Sequence, residues 1–350
     1  MRATDFPTDD PALRALLLPL GRGAVVWPAD GRVLFLGARA DSALHTRETS
    51  GLVCQQPFWP FADQLERGGL RVREPAGDER FALVMLLPSR QREVRQAQLA
   101  RALDHLAGDG TLLVAVANPD GARSAQADLE QLVGPVEVMS KHKCRVFWAA
   151  SPASVDVALQ RQWASLDAPR PTVDGLLGRP GLFAWDRVDP ASALLAGHFP
   201  PDMEGHVADL GSGAGYLSVQ MIKRCPQVNA IDLFEADARA LPVARANLDR
   251  ACREQGREVA CTLHWHDVVT GLPGRFDHIV SNPPFHQGRA DLPQLGRAFI
   301  AAAAAALRPG GRFHMVANRH LPYEATLREH FTRVDTRVEE GGFKVIEARR

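Results

Sequence analysis

Lysine is scarce in this 350-residue chain: four residues, Lys141, Lys143, Lys223 and Lys344, against 41 basic residues in all. The rest are arginine, a bias that reflects composition before function. Net charge is also missing, with 41 basic residues balanced by 41 acidic ones. The first 150 residues carry 18 of each sign, and only the last 50 have a basic excess, 9 against 6. No global field therefore gathers a polyanion, and any phosphate binding has to be local. The five cysteines, Cys54, Cys144, Cys225, Cys252 and Cys261, are odd in number and form no CxxC pair, so neither a disulfide framework nor a zinc knuckle is suggested, and no metal is expected. The apolar run Ala298 to Leu307 is ten residues long, about half of what a bilayer span requires. Asp5, Asp9 and Asp10 precede the short apolar patch Ala15 to Leu20, where a secretory leader places basic residues, so a cytoplasmic location and no membrane partner are expected.

At roughly 150 residues per domain the length suggests two domains. From Gly205 onward, apolar runs alternate with helical patterns. The runs are VADL (207–210), VNAIDLF (228–234), CTLHW (261–265), HIVS (278–281) and FHMVA (313–317). Stretches 238–252 and 294–307 space their apolar residues as helices do. This alternation implies an α/β fold with a mostly parallel sheet covered on both faces. The first half repeats the grammar more weakly, with strand candidates GAVVW (23–27), RVLFLG (32–37), FALVMLL (81–87), TLLVAVA (111–117) and CRVFWA (144–149). Phe81 to Pro88 aligns with Phe276 to Pro283 at a spacing of 195 residues, and Leu34-Phe-Leu-Gly37 with Ala208-Asp-Leu-Gly211. In the first copy Leu87 stands for Asn282, and Ala38 to Ala40 lack the further glycines. A duplication whose first copy has lost its chemistry accounts for both. The expected organisation is a degenerate domain over 1–165, a Pro/Gly-rich linker over 166–181 and a working domain over 182–350.

Val207 to Gly215 reads as a strand entering a glycine turn, with a helix opening near Tyr216. Gly211, Gly213 and Gly215 let the backbone turn tightly around Ser212 and approach a ligand, and the helix N-terminus offers free N–H donors. Tyr216 replaces the last glycine of a dinucleotide fingerprint, and Asp209 precedes the first glycine by two residues. A carboxylate there suits the ammonium of S-adenosylmethionine and would repel a pyrophosphate. Glu235, 24 residues after Gly211, is placed to take the ribose hydroxyls, with Asp232 competing for that role. Asp237 reads as a helix cap. Asp267 is either an acceptor for the adenine amine or the cap of its own loop.

The strand Phe276 to Ser281 ends in Asn282-Pro283-Pro284-Phe285. Two prolines stiffen the backbone, so the Pro283 carbonyl and the Asn282 side chain present two acceptors together. Two acceptors hold both hydrogens of an exocyclic amine and orient its lone pair toward a methyl sulfonium, while Phe285 offers a face on which an extruded base can stack. Taken alone, an Asn-Pro turn is ordinary loop chemistry. Its place at a strand end, about 70 residues beyond the glycine loop, makes it a candidate catalytic centre.

The stretches GLFAWDRVDPASALL (181–195), VADLGSGAGYLS (207–218), GRFDHIVSNPPFHQG (274–288) and LRPGGRFHMVAN (307–318) resemble class I methyltransferases, and among them the guanine-N2 methyltransferases of small-subunit 16S ribosomal RNA. ANPDGARSAQADLE (117–130) and KHKCRVF (141–147) are similar to the N-terminal domain of that family. The resemblance implies two tandem Rossmann-like class I methyltransferase domains, the first degenerate, with S-adenosylmethionine as cofactor and N2 of a guanine in ribosomal RNA or the small subunit as acceptor. It implies catalytic roles for Asn282, Pro283 and Phe285. It implies cofactor contacts from Asp209, Gly211, Ser212, Gly213, Gly215, Glu235, Asp267 and Asn282. Ala184 departs from the family's serine and Gln287 from its aspartate; His286 fits the pattern, but no proton transfer is assigned to it. Arg123, Lys141, Lys143 and Arg145 are candidate RNA contacts in the first half. An adenine-N6 or glutamine-amide acceptor, or a non-enzymatic RNA-binding assembly role, remains open on the residues alone.

Overall fold

The computed structural model describes residues 10–152, 154–284, 286–287, 290–291 and 293–350, the pairs 286–287 and 290–291 as backbone only. It divides at Ala168/Pro169 into two compact units.

In the first unit, β1 (Val33–Leu36), β2 (Leu52–Gln55), β3 (Arg71–Arg73), β4 (Phe81–Leu86), β5 (Leu106–Ala117), β6 (Glu137–Lys141) and β7 (Cys144–Ala150) form one sheet in the order β3-β2-β1-β4-β5-β7-β6. Pairing is parallel from β3 to β5, and β7 runs antiparallel to both β5 and β6. Both faces are covered. Helices α1 (Pro11–Gly21) and α2 (Trp59–Arg67) pack with Val33, Phe35, Leu83 and Met85, and α3 (Arg92–Asp104), α4 (Ala122–Val133) and α5 (Val157–Ala164) with Leu34, Val84, Leu112 and Val114. That is why β1 and β4 read as unbroken apolar runs. GAVVW does not form the expected strand: Ala24 and Val25 donate to the Pro19 carbonyl, wrapping the end of α1, and Val26 is 78% exposed.

The second unit begins with a small hairpin, β8 (Arg170–Pro171) and β9 (Leu177–Gly178), inside the stretch expected to be a linker. Helix α6 (Pro190–Gly197) leads into β10 (Glu204–Leu210), α7 (Tyr216–Arg224), β11 (Gln227–Glu235), α8 (Leu241–Gln255), β12 (Ala260–Trp265) and β13 (Phe276–Ser281). A second hairpin, β14 (His286–Gln287) with β15 (Ala290–Asp291), precedes α9 (Pro293–Ala306). The chain closes with β16 (Leu307–Asn318), α10 (Glu324–His330), β17 (Arg333–Glu340) and β18 (Phe343–Arg349). Its sheet order, β12-β11-β10-β13-β16-β18-β17, reproduces the first unit strand for strand, including the antiparallel last pair. Leu36 pairs with Gln55 and Leu86 as Leu210 pairs with Phe234 and Ser281, so the registers superpose too. Among the described residues no helix is long and apolar enough to cross a membrane.

Candidate functional site

β10 delivers Asp209 to the sheet interior, fully buried, and turns out through Gly211, Gly213 and Gly215 at φ +69°, +53° and +82°. Asp209 Oδ2 accepts from Ser218 Oγ, in the first turn of α7, at 2.7 Å. Its Oδ1 and the Ser212 hydroxyl are shut from solvent without a hydrogen-bond partner. A buried polar atom left unpaired costs about 1–3 kcal/mol, so two at one loop mark a place shaped for a polar ligand. Burial pushes the Asp209 carboxyl up to about 7, against the pull of the Ser218 hydrogen bond and with some help from the Glu235 charge.

Glu235, at the end of β11, accepts from the Gly213 amide at 2.7 Å and the Asp237 amide at 2.8 Å. It thereby clamps the glycine loop to the next strand, and burial raises its pKa. Each carboxylate oxygen keeps a second lone pair for a ribose hydroxyl. Asp232 is employed elsewhere: three residues earlier on the strand, it lies 3.1 Å from His206 Nε2 and 3.3 Å from His264 Nε2. Asp237 caps the short turn Ala238–Ala240. Asp267 caps Val268–Thr270 through the Val269 amide at 3.1 Å, the plainer of its two expected roles.

The Asn282 amide is fixed from outside the Asn-Pro-Pro turn. Its Nδ2 donates to Asp189 Oδ2 at 2.9 Å and to Ser192 Oγ at 2.8 Å. Asp189 is the N-cap of α6, where the same Oδ2 also accepts the Ser192 amide at 2.8 Å. With both N–H groups committed, Oδ1 is left as an acceptor. Pro283 is buried, while Phe285 lies outside the described residues.

These parts meet at an open cleft of about 650 Å³, counting the part continuous with solvent. Gly211, Ser212 and Gly213 form one wall, Asp189, Ser192 and Asn282 another, and the 172–188 segment with Phe183, Trp185 and Tyr216 a third. Asp209, which leads into the glycine loop, and Glu235 and Asp267, at the next two strand ends, are outside this lining. Asn247 of α8 holds the hairpin wall to the loop, exchanging hydrogen bonds with Leu177 N (2.8 Å) and O (3.0 Å) and donating to the Ala214 carbonyl at 2.9 Å. A Cβ on Gly178 would stand 1.7 Å from the Trp185 carbonyl, so only glycine admits that wall. The Arg170 guanidinium lies 4.5 Å over the Trp185 ring.

A profile described as the methyltransferase small domain matches residues 175–347. The chain is 32% identical over 337 residues to "Ribosomal RNA small subunit methyltransferase C" of Ectopseudomonas mendocina, covering 92% of this chain and 96% of that one. It is 31% identical over 294 residues to the protein of the same name from Pectobacterium atrosepticum, covering 84% and 81%. The chain belongs to the ribosomal RNA small subunit methyltransferase C family. A solved T. thermophilus 16S rRNA N2 methyltransferase, in complex with AdoMet and guanosine, shares the fold over all of this chain and 93% of its own, with a TM-score of 0.78 at 24% identity.

Within that family fold, the first unit shows how its own cleft is closed. The shared register puts Phe35 where Asp209 stands, Ala38 for Ser212, Arg39 for Gly213, Gln56 for Glu235 and Leu87 for Asn282. Gln56 keeps the clamp, donating to the Ala38 carbonyl at 2.7 Å. Leu87 lies so close that a Cβ on Gly37 would meet its carbonyl at 2.4 Å. Arg39 fills the loop, 4.1 Å over the Phe61 ring and 3.3 Å from Asp10 Oδ2. Asp10 caps α1 as Asp189 caps α6, each followed by Pro-Ala. That Asp-Pro-Ala repeat is the sequence signal that marks Asp189, whereas Asn247 has no signal beyond its place on a helix.

Proposed function

We propose that the second unit transfers the methyl group of S-adenosylmethionine to the exocyclic N2 of a guanine in 16S ribosomal RNA, in the cytoplasm, on RNA or the assembling small subunit. The observation that carries this is the Asn282 amide, whose N–H groups are spent on Asp189 and Ser192 so that only its acceptor oxygen is left for a ligand, at a cleft that also holds the glycine loop.

The orphaned Asp209 Oδ1 and Ser212 Oγ fit a cofactor bearing an ammonium and other donors. Asp209, Ser212 and the loop glycines would hold its methionine end, and Glu235 its ribose. S-adenosylmethionine supplies an electrophilic methyl group. The chain's own work is positional. Asn282 Oδ1, with the Pro283 carbonyl as its expected companion, accepts from the guanine amine and aims the nitrogen lone pair; fixing two reactants in this way removes much of the entropic barrier. No strong base is needed before transfer, because the nitrogen sheds its proton once it carries the methyl. Phe285 is proposed as the stacking face for the extruded base. Asp189 and Ser192 act through Asn282, whose amide they hold, and are assigned as positioning residues. The first unit, having no such acceptor, is assigned to RNA binding or to folding support.

The test is incubation with labelled S-adenosylmethionine and, separately, naked 16S RNA, naked 23S RNA, assembled subunits and DNA, followed by digestion to nucleosides. N2-methylguanosine from 16S RNA is expected. Label in N6-methyladenine or in protein would redirect the acceptor, and tight RNA binding without transfer would leave a binding factor.

A further inference from the structure

The turn between β6 and β7 carries two non-glycine residues in a backbone region that favours glycine. His142 and Lys143 sit at φ +53° and +57°, in the left-handed region that β-carbon sterics disfavour. The second unit makes the same turn, between β17 and β18, with Gly341 and Gly342 at φ +58° and +85°. The two are register equivalents: the Asn118 amide donates to the Lys143 carbonyl at 2.9 Å as the Arg319 amide donates to the Gly342 carbonyl at 2.8 Å. One copy thus has the relaxed solution, and the other keeps an imidazole and an ammonium at a backbone cost.

The charges there are unusual for this chain. Of its four lysines, Lys223 is paired with Glu254 at 3.4 Å and Lys344 with Glu324. Lys141 and Lys143 have no acidic partner among the described residues, and with His142 they are exposed at the tip. Arg123, also exposed, stands in the first turn of α4, which follows directly on Asn118–Asp120, beside the Lys143 carbonyl. Arg145, by contrast, turns inward to Gln126 at 2.5 Å. In a protein of zero net charge, two unpaired lysines held on a strained tip form the local patch that a polyanion requires.

We propose that the Lys141–His142–Lys143 tip of the first unit docks the phosphate backbone of the substrate RNA. This deepens the methyltransferase reading and rests on it for the identity of the RNA. Phosphate contacts position a nucleic acid without reading its sequence, which suits a unit with no reaction centre of its own. Backbone strain kept at a binding tip is where such strain ordinarily persists.

The test uses full-length protein and transcribed 16S RNA, with binding followed by fluorescence anisotropy over a range of KCl. Lys141→Ala/Lys143→Ala should raise Kd about tenfold near 0.15 M salt and make the slope of log K against log salt shallower by about 1 to 2. KM for RNA should rise with kcat unchanged at saturation. His142→Gly/Lys143→Gly, which copies the second unit's turn, should melt at a higher temperature than the wild type and yet bind RNA more weakly. A purely structural turn would not separate the two readouts. Wild-type affinity and salt slope in both variants would overturn the proposal, as would failure of the unaltered protein to bind RNA. If the unaltered protein binds RNA but forms no N2-methylguanosine, the methyltransferase reading falls and the docking tip is still judged by the same anisotropy comparison.

Discussion

Replacing Asp189 with alanine separates positioning from chemistry. The change removes a charge-assisted hydrogen bond to Asn282 Nδ2 at 2.9 Å and the cap on the Ser192 amide at 2.8 Å. Hydrogen bonds to charged groups contribute about 1.5–3 kcal/mol, so that much of the preference holding the Asn282 oxygen toward its substrate is lost. At 1.36 kcal/mol per factor of ten, kcat should fall about 10- to 100-fold. The lost cap should cost about 0.5–2 kcal/mol of stability, lowering the melting temperature by a few degrees. S-adenosylmethionine affinity, measured calorimetrically, should change less than about threefold, because the glycine loop is untouched. Asp189→Asn keeps an oxygen for both donors and should lose far less. Ser192→Ala removes a single neutral bond of about 0.5–1.5 kcal/mol and should slow turnover about 2- to 10-fold. The two sites share one partner, so their effects should not add. A full wild-type kcat in Asp189→Ala, at a temperature where it is folded, would refute the clamp.

Asn282→Ala should reduce turnover by orders of magnitude with cofactor affinity little changed; an intact single-turnover rate would sink the amine-orienting role. Asp209 titrates near 7 in the fold and near 3.8 when exposed, so between those values the folded protein binds the extra proton. Stability of the ligand-free protein should therefore fall as pH climbs from about 4 to about 7, and denaturant titrations of Asp209→Asn should show that slope flattened. Gly178→Ala forces the Trp185 wall aside and should weaken S-adenosylmethionine binding about tenfold or more; equal affinity and an unchanged melting temperature would contradict the 1.7 Å contact. Adding Leu87→Asn to Asn282→Ala should restore no activity in the methylation assay, because Phe35 and Arg39 still occupy the first cleft.

The alternation of runs and the glycine loop were legible in the sequence because they depend on local sterics and on burial of both sheet faces. Short or half-exposed strands such as Arg71–Arg73, Glu137–Lys141 and Arg333–Glu340 were not, since their apolar pattern is too thin. GAVVW misled for the opposite reason: its residues suit a strand, but the helix end captures the backbone. The 166–181 stretch looked like a linker from its prolines and glycines. The second unit uses its later part, from Pro169 on, as a cleft wall, through hydrogen bonds from Asn247, 70 residues beyond Leu177. The Asn282 clamp spans 93 residues, and a contact that distant leaves no local pattern in the sequence joining Asp189 to Asn282.

The orphaned oxygens of the second cleft set its two units apart as materials. The first unit plugs the equivalent loop with its own Phe35, Arg39 and Leu87 and has no place there for a cofactor. The second is completed only by a visitor, and a small molecule present at a hundred times its dissociation constant adds about 2.7 kcal/mol to such a half. Heat or proteolysis should therefore open the catalytic half more readily when the methyl donor is depleted than when it is plentiful, so that the supply of one metabolite governs how long the working half survives as well as how fast it works.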